Sequence, residues 1–190
     1  MEPISGAEAL ALGTIESGVS LVTSYPGSPA TAVVNHLLAS TSPEQLHIEW
    51  TGNEKVAVEM AYGASLNGNR AMVCLKSVGL NIALDPLMVF NLSGINAGLV
   101  ILVGDDPGSW GSQNEQDSRA VAQATELPIL EPATVADARL AMLEAFPLAE
   151  DYGGPVFVRF TRPLALAEGT IPKNLTTRSE TTVGFQSEFM

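Results

Sequence analysis

Six short apolar or β-branched runs recur along the chain, at residues 19–23, 47–50, 71–75, 99–103, 128–130 and 156–160. Between them, at 29–39, 54–66, 82–92, 116–125 and 135–149, apolar positions return at helical spacing. An opening helix is signalled by Ser5-Gly6-Ala7-Glu8, a capping-box spacing followed by Ala9, Leu10 and Leu12. Several strand runs are continuously apolar, Leu99-Val100-Ile101-Leu102-Val103 most clearly. Strands with one wet face alternate; strands covered by helices on both faces do not. The alternation of such runs with helices predicts an α/β fold, doubly wound around a mostly parallel six-stranded sheet. No repeat of solenoid period interrupts it.

The pattern fades near Ala165, and residues 170–190 are polar, threonine-rich and aperiodic. Residues 1–165 therefore read as one domain, and 166–190 as a C-terminal tail that is extended or wraps a partner. A chain of 190 residues with 46% apolar and 16% charged positions has enough for one well-buried core and too little for two large ones.

A net charge of −12 excludes nucleic acid and anionic membrane as partners, since both demand basic patches. Cys74 is the single cysteine, so this chain forms no internal disulfide and holds no iron–sulfur cluster on its own thiolates. Two separated histidines make no zinc site, and no metal ligand set is expected. No apolar stretch reaches the length of a membrane span, and the start lacks the features of a signal peptide. The expected location is the cytoplasm.

In an open parallel sheet, ligands bind beyond the carboxyl ends of the strands, and the unusual residues fall there. They are Ser24-Tyr25-Pro26-Gly27-Ser28-Pro29, Thr51-Gly52-Asn53-Glu54, Lys76-Ser77-Val78-Gly79-Leu80-Asn81, the long loop 105–119, and Thr161-Arg162. Each also has a plain structural reading. Ser28 fits the cap of a helix beginning at Pro29. Asn53 fits a helix cap, with Glu54 in the first turn complementing the dipole. Lys76 fits a solvated strand-end cation. The loop 105–119 resists such a reading, because structureless loops of that length are uncommon in compact domains and usually functional. Trp110 at its centre predicts burial against a ligand or another subunit. Neither a G-x-x-x-x-G-K-[ST] loop, a G-x-G-x-x-G turn nor a G-x-S-x-G elbow occurs. The sheet has the form of a cofactor enzyme without an element that grips a diphosphate.

Four stretches in order carry a resemblance: Tyr25-Pro26-Gly27-Ser28-Pro29; Gly52-Asn53-Glu54-Lys55-Val56-Ala57-Val58-Glu59; Val78-Gly79-Leu80-Asn81 with Asp85-Pro86-Leu87-Met88; and Ser112-Gln113-Asn114-Glu115-Gln116-Asp117-Ser118-Arg119. Together they resemble the pyrimidine-binding domain of thiamine-diphosphate-dependent 2-oxoacid oxidoreductases. The nearest likeness is to the N-terminal domain of the indolepyruvate ferredoxin oxidoreductase large subunit.

The resemblance implies that Glu54 is the catalytic carboxylate that hydrogen-bonds N1′ of the aminopyrimidine and so promotes loss of the thiazolium C2 proton. That role needs a carboxyl group able to share a proton with the ring, which a dry setting beside Val58 and Ala61 favours. It further implies cofactor contacts from Pro26, Gly27, Asn81 and Gln113, and substrate contacts from Ser28, Lys76, Asn114 and Glu115. Ser77 stands where arylpyruvate-type relatives carry histidine, and Ala7 where they carry asparagine.

The family's diphosphate-binding domain, with its G-D-G…N-N magnesium motif, and its cluster-bearing tail have no counterpart in these residues. Thiamine diphosphate would then be shared with a diphosphate-binding partner subunit, in an α2β2 assembly. Mg2+ and any iron–sulfur cluster would sit on partner chains, with ferredoxin or another electron carrier beyond. Two other readings stay open: a non-oxidative 2-oxoacid decarboxylase subunit of the sulfopyruvate or phosphonopyruvate type, and a catalytically idle scaffold domain.

Overall fold

The computed structural model describes residues 3–171. In chain order the elements are β1 (Ile4–Ser5), α1 (Gly6–Glu16), β2 (Leu21–Ser24), α2 (Ala30–Ser40), β3 (His47–Trp50), α3 (Glu54–Leu66), β4 (Ala71–Lys76) and a 3-10 turn (Ser77–Gly79). They continue with α4 (Leu80–Ser93), β5 (Leu99–Asp105), α5 (Arg119–Ala124), β6 (Ile129–Leu130), α6 (Val135–Tyr152), β7 (Val156–Thr161), α7 (Arg162–Leu166) and β8 (Glu168–Gly169).

Six strands form one sheet in the order β3-β2-β4-β5-β7-β6, every neighbouring pair parallel. The apolar runs resolve into two faces with period two, as the pleat requires. Met72, Cys74, Val100, Leu102, Val156 and Val158 join Leu10, Val33, Leu37, Met142 and Phe146 in the core beneath α1, α2 and α6. Val73, Leu75, Ile101, Val103 and Phe157 turn the other way, against Val58, Ala61, Leu80, Leu87 and Phe90 beneath α3, α4 and α5. β5 is buried at all seven positions, which is why its sequence shows no alternation. The doubly wound α/β sheet expected from the sequence is the fold observed.

Local chemistry sets the helix ends. Ser5 accepts from the Glu8 N–H at 3.1 Å, and Asn53 Oδ1 accepts from the Val56 N–H at 3.0 Å. Thr134 and Asp137 close a full reciprocal capping box on α6. Gly153, in the left-handed region with φ 79°, ends that helix. Ser28 does not cap α2: the helix begins one residue later, Pro29 takes the cap position, and no side chain accepts there.

The run expected as a helix over 116–125 shortens to α5, because Gln116 is tied to Ser77 and Asn81 and Ser118 to Asp105 before a helix can form. The two-stranded sheet of β1 and β8 and the short α7 were not expected. Antiparallel pairing of Ile4 with Gly169 and Ser5 with Glu168 carries the folded body past residue 165, where the side-chain pattern fades. The remainder of the expected tail, 172–190, lies outside the described residues. Among the described residues no helix is long and apolar enough to cross a membrane.

Glycine contacts give a stability test. A Cβ on Gly13 in α1 would meet the Arg139 carbonyl oxygen at 2.6 Å and Met142 Cβ at 2.8 Å, both on α6, whereas one on Gly63 in α3 meets nothing within 4 Å. Alanine in place of helical glycine is worth about 1 kcal/mol, and overpacking costs about 1–3 kcal/mol. Thermal or denaturant unfolding should therefore find Gly63→Ala stabilised and Gly13→Ala destabilised. Equal stabilisation of both would mean that α1 and α6 are not in this close contact.

Candidate functional site

The sheet reverses its winding between β2 and β4. The connection leaving β2 runs through α2 on one face, and that leaving β4 through α4 on the other, so their loops diverge and open a crevice at the carboxyl edge. Buried hydroxyls hold this edge together. Thr23 Oγ1 donates to the Ala57 carbonyl at 2.7 Å, tying β2 to the first turn of α3. Ser24 Oγ donates to the Cys74 carbonyl at 2.6 Å, and the Thr51 N–H returns to the Ser24 carbonyl at 2.9 Å.

Glu54 opens α3 beside this crevice and keeps only 9% of its surface exposed. Its side chain lies against Gly79: a Cβ there would fall 2.6 Å from Glu54 Cγ and 2.7 Å from Oε1. Among the described residues the carboxylate has neither a hydrogen-bond donor nor a cation. Its oxygens are not among the atoms buried without a partner, so the carboxylate opens on the crevice from a largely buried stem.

On the other wall, Gly27 meets the Lys76 stem, where a Cβ would sit 2.8 Å from Lys76 Cβ. The Gly27 N–H donates to Thr31 Oγ1 at 2.8 Å, which holds the turn after β2. Tyr25, Pro26 and Ser28 are exposed at its tip.

The loop 105–119 is anchored from within the domain. Asp106, 3% exposed, accepts on Oδ2 from the Gly111 N–H at 2.6 Å and from Ser112 Oγ at 2.8 Å. Lys76 Nζ donates to the Gly111 carbonyl at 3.1 Å, so Gly111 is held at both its N–H and its carbonyl. A Cβ on Gly111 would lie 3.4 Å from Ser28 Oγ, which places the loop across the tip of the first turn. Burial pushes the Asp106 carboxyl up, but the Gly111 N–H, Ser112 hydroxyl, Arg162 guanidinium and Trp110 N–H outweigh it and hold the group below the ordinary carboxylate range.

Asp105 takes Arg159 Nε at 2.7 Å and the Ser118 N–H at 3.1 Å. The Arg119 guanidinium beside Asp117 holds that carboxyl down to about 2.

The residues expected at the site fall into two groups. Glu54, Gly27, Ser28 and Lys76 gather at the crevice. Asn81 exchanges amide hydrogen bonds with Gln116 at 2.9 and 3.0 Å, so it secures the far end of the loop. Gln113, Asn114 and Glu115 are exposed between the two anchors, without side-chain partners among the described residues.

Trp110, expected to be covered by a ligand or another subunit, is 78% exposed on this chain alone, with the Arg162 guanidinium 5.8 Å from its ring centre. Sequence reasoning assigned no role to Asp106, Gly79 or Gly111. The acidic pair Asp105-Asp106 directly after a wholly apolar strand was the available signal. Two cavities of about 620 and 540 Å³ lie elsewhere, around the start of α6 and along its outer face, and neither is lined by Glu54, Ser28 or Lys76. Among the described residues no group of three or more His, Cys, Asp or Glu is placed to hold a metal ion.

Known proteins share this arrangement. The family described as "Pyruvate flavodoxin/ferredoxin oxidoreductase, thiamine diP-bdg" matches residues 12–170. The indolepyruvate oxidoreductase subunit IorA of Pyrococcus abyssi is 42% identical over 82% of this chain and 24% of its own length. That of Archaeoglobus fulgidus is 39% identical over 87% of this chain and 27% of its length. The chain thus spans about a quarter of these relatives. A solved 2-oxoglutarate:ferredoxin oxidoreductase from Magnetococcus marinus, with 2-oxoglutarate, coenzyme A and succinyl-CoA bound, superposes with a TM-score of 0.80 at 21% identity. That match covers 90% of this chain and 32% of the other, and it shows a common fold. With its switch-point crevice and matched residues 12–170, the chain belongs to the thiamine-diphosphate-binding family of pyruvate flavodoxin/ferredoxin oxidoreductases.

Proposed function

We propose that this chain is the pyrimidine-binding part of a thiamine-diphosphate-dependent 2-oxoacid oxidoreductase of the indolepyruvate type, active with a diphosphate-binding partner subunit. The observation that carries the reading is Glu54, a largely buried side chain whose carboxylate has no partner among the described residues, stays open at the crevice and is pressed against Gly79 at the switch point. An aminopyrimidine nitrogen fits what that carboxylate lacks. Only glycine at position 79 leaves the carboxylate its place.

When bound, thiamine diphosphate supplies a carbon nucleophile for the 2-oxo carbon and a store for the electrons that decarboxylation releases. Glu54 holds and returns a proton at the pyrimidine N1′. Pro26, Gly27 and Gln113 are proposed on the cofactor side, with Asn81 acting through its hold on Gln116. Ser28, Lys76, Asn114 and Glu115 are proposed on the substrate side. The grip of Asp106 and Lys76 on Gly111 keeps the loop across the crevice and limits water there.

Mg2+ and any iron–sulfur cluster are proposed on partner chains, with ferredoxin or a similar acceptor beyond. An α2β2 assembly with two sites is proposed. The pyrimidine-binding domain, expected over residues 1–165, would run on through β8, and the expected extension toward the partner would begin beyond it.

An apolar face beside Glu54 supports a covering subunit. Val56 and Met60 on α3 and Ile82, Val89 and Leu92 on α4 are exposed, around the ion pair of Lys55 with Asp85 at 2.8 Å. Cys74 is a free buried thiol, compatible with the cytoplasmic location proposed for the assembly.

Two measurements test this reading. Calorimetric titration of the pure chain with thiamine diphosphate and Mg2+ should give no micromolar binding, and such binding without a partner would overturn the divided site. In the assembled enzyme, Glu54→Gln should preserve packing, because glutamine has the same size and the helix-end charge is worth about 0.3–1 kcal/mol. Turnover and C2-proton exchange of bound cofactor, followed by NMR, should fall about 10²–10⁴-fold. Exchange at the wild-type rate would leave Glu54 as a helix-dipole residue only.

A further inference from the structure

Seven lysines and arginines lie in the described part of this acidic chain, and five of them are in ion pairs: Lys55, Arg70, Arg119, Arg139 and Arg159. Among the described residues the two without one are Lys76 and Arg162, and both stand at strand ends flanking the Asp106–Gly111 segment. Their situations differ. Lys76 spends one N–H on the Gly111 carbonyl and rests its stem on Gly27. Arg162 is half-buried at the start of α7, and its guanidinium makes no hydrogen bond among the described residues.

Two features nevertheless fix its position. The Trp110 ring lies beneath it at 5.8 Å, and the Asp106 charge attracts it. The Gly111 N–H and the Ser112 hydroxyl both bond Asp106 Oδ2, its Oδ1 is buried without a hydrogen-bond partner, and no hydrogen bond joins Asp106 to the guanidinium fork among the described residues. An orientated, half-desolvated arginine with five free donors matches a planar carboxylate at two points, which a lysine ammonium cannot do.

We propose that Arg162 is the specificity-determining group that receives the carboxylate of the 2-oxoacid, while Lys76 holds the loop over the crevice. This rests on the function proposed above. The Trp110 ring, covered on one face by Arg162, then lies beside the bound acid and sets the arginine's direction. The route from sequence to role is short: Arg162 is the first residue of a helix whose Thr161 cap and Pro163 place it at the carboxyl edge beside β5.

The test uses the enzyme assembled with its diphosphate-binding partner. Arg162→Gln should raise KM for the 2-oxoacid about tenfold or more, with kcat within about threefold of wild type and an unchanged melting temperature. Arg162→Lys should fall between the two. Competitive inhibition by an unreactive 2-oxoacid analogue and by its neutral amide gives a second readout: wild type should prefer the acid, and Arg162→Gln should lose that preference. An unchanged acid-to-amide ratio, or a loss confined to kcat, would overturn the assignment. Glu54→Gln in the same assay separates the two ideas. Its failure to lower kcat counts against the proposed function, whereas its success with a normal ratio in Arg162→Gln counts against Arg162 alone.

Discussion

The parallel pairing of β2 with β4 is the constraint on which the site depends. With Ser24 opposite Cys74, the chain leaves β2 toward one face and β4 toward the other, and no helix can roof the gap between them. Both strands are buried from either side, so their register cannot slip without sending Val22, Met72 and Cys74 to the wrong core. Ser24 Oγ and Thr23 Oγ1 then transfer that register to the loops, one bonding β4 and the other α3. Glu54 stands where it does because α3 is held by Thr23 and capped by Asn53, not because of any contact made by its own carboxylate.

Close approach explains the glycines in the same edge. Gly27 admits the Lys76 stem and Gly79 admits Glu54. Each glycine removes a side chain where a functional one must pass. The charged groups follow a related division. Asp105 with Arg159 and Asp106 with the Gly111 peptide satisfy opposite sides of the β5 end. One acid braces the sheet, while the other shapes the loop. Asp105 Oδ1, Asp106 Oδ1 and Ser118 Oγ are buried without a hydrogen-bond partner among the described residues. Such atoms are ordinarily met by bound water.

Much of the fold was legible because burial leaves a mark on composition. β5 reads as an unbroken apolar run, and the structure buries all of it. Asn53 was readable as a cap from its position before Glu54, and it acts as one. What escaped was structure made by the backbone. β1 and β8 pair through two residues each, too few for a period, and α7 is a single turn capped by Thr161. Ser28 escaped for a different reason: its dipeptide with Pro29 has cap chemistry, but Pro29 itself occupies the cap position. At the site, Glu54 was visible from the motif around it, whereas Arg162 stood out only by its place at a strand end and Asp106 only as part of its loop, since the contacts of both arise from the folding of that loop across them. Long-range contacts such as Lys76 with Gly111 leave no local spacing to read.

The length of the loop 105–119 and its tryptophan point to a functional segment covered by a ligand or another subunit. The structure supplies internal anchors at both ends: Asp106 and Lys76 near Gly111, and Asn81 with Ser77 at Gln116. Between them only Gln113, Asn114 and Glu115 are left without partners among the described residues, and Trp110 is exposed just before. Hydrogen bonds at two points constrain the loop within its own domain, and each residue so held lowers the entropy left to lose on binding. The donors and acceptors of that middle segment stay exposed, while the anchors fix where the segment lies. Such anchoring by Asp106, Lys76 and Asn81 fits the divided site proposed above, because it holds the exposed segment in place from within one domain.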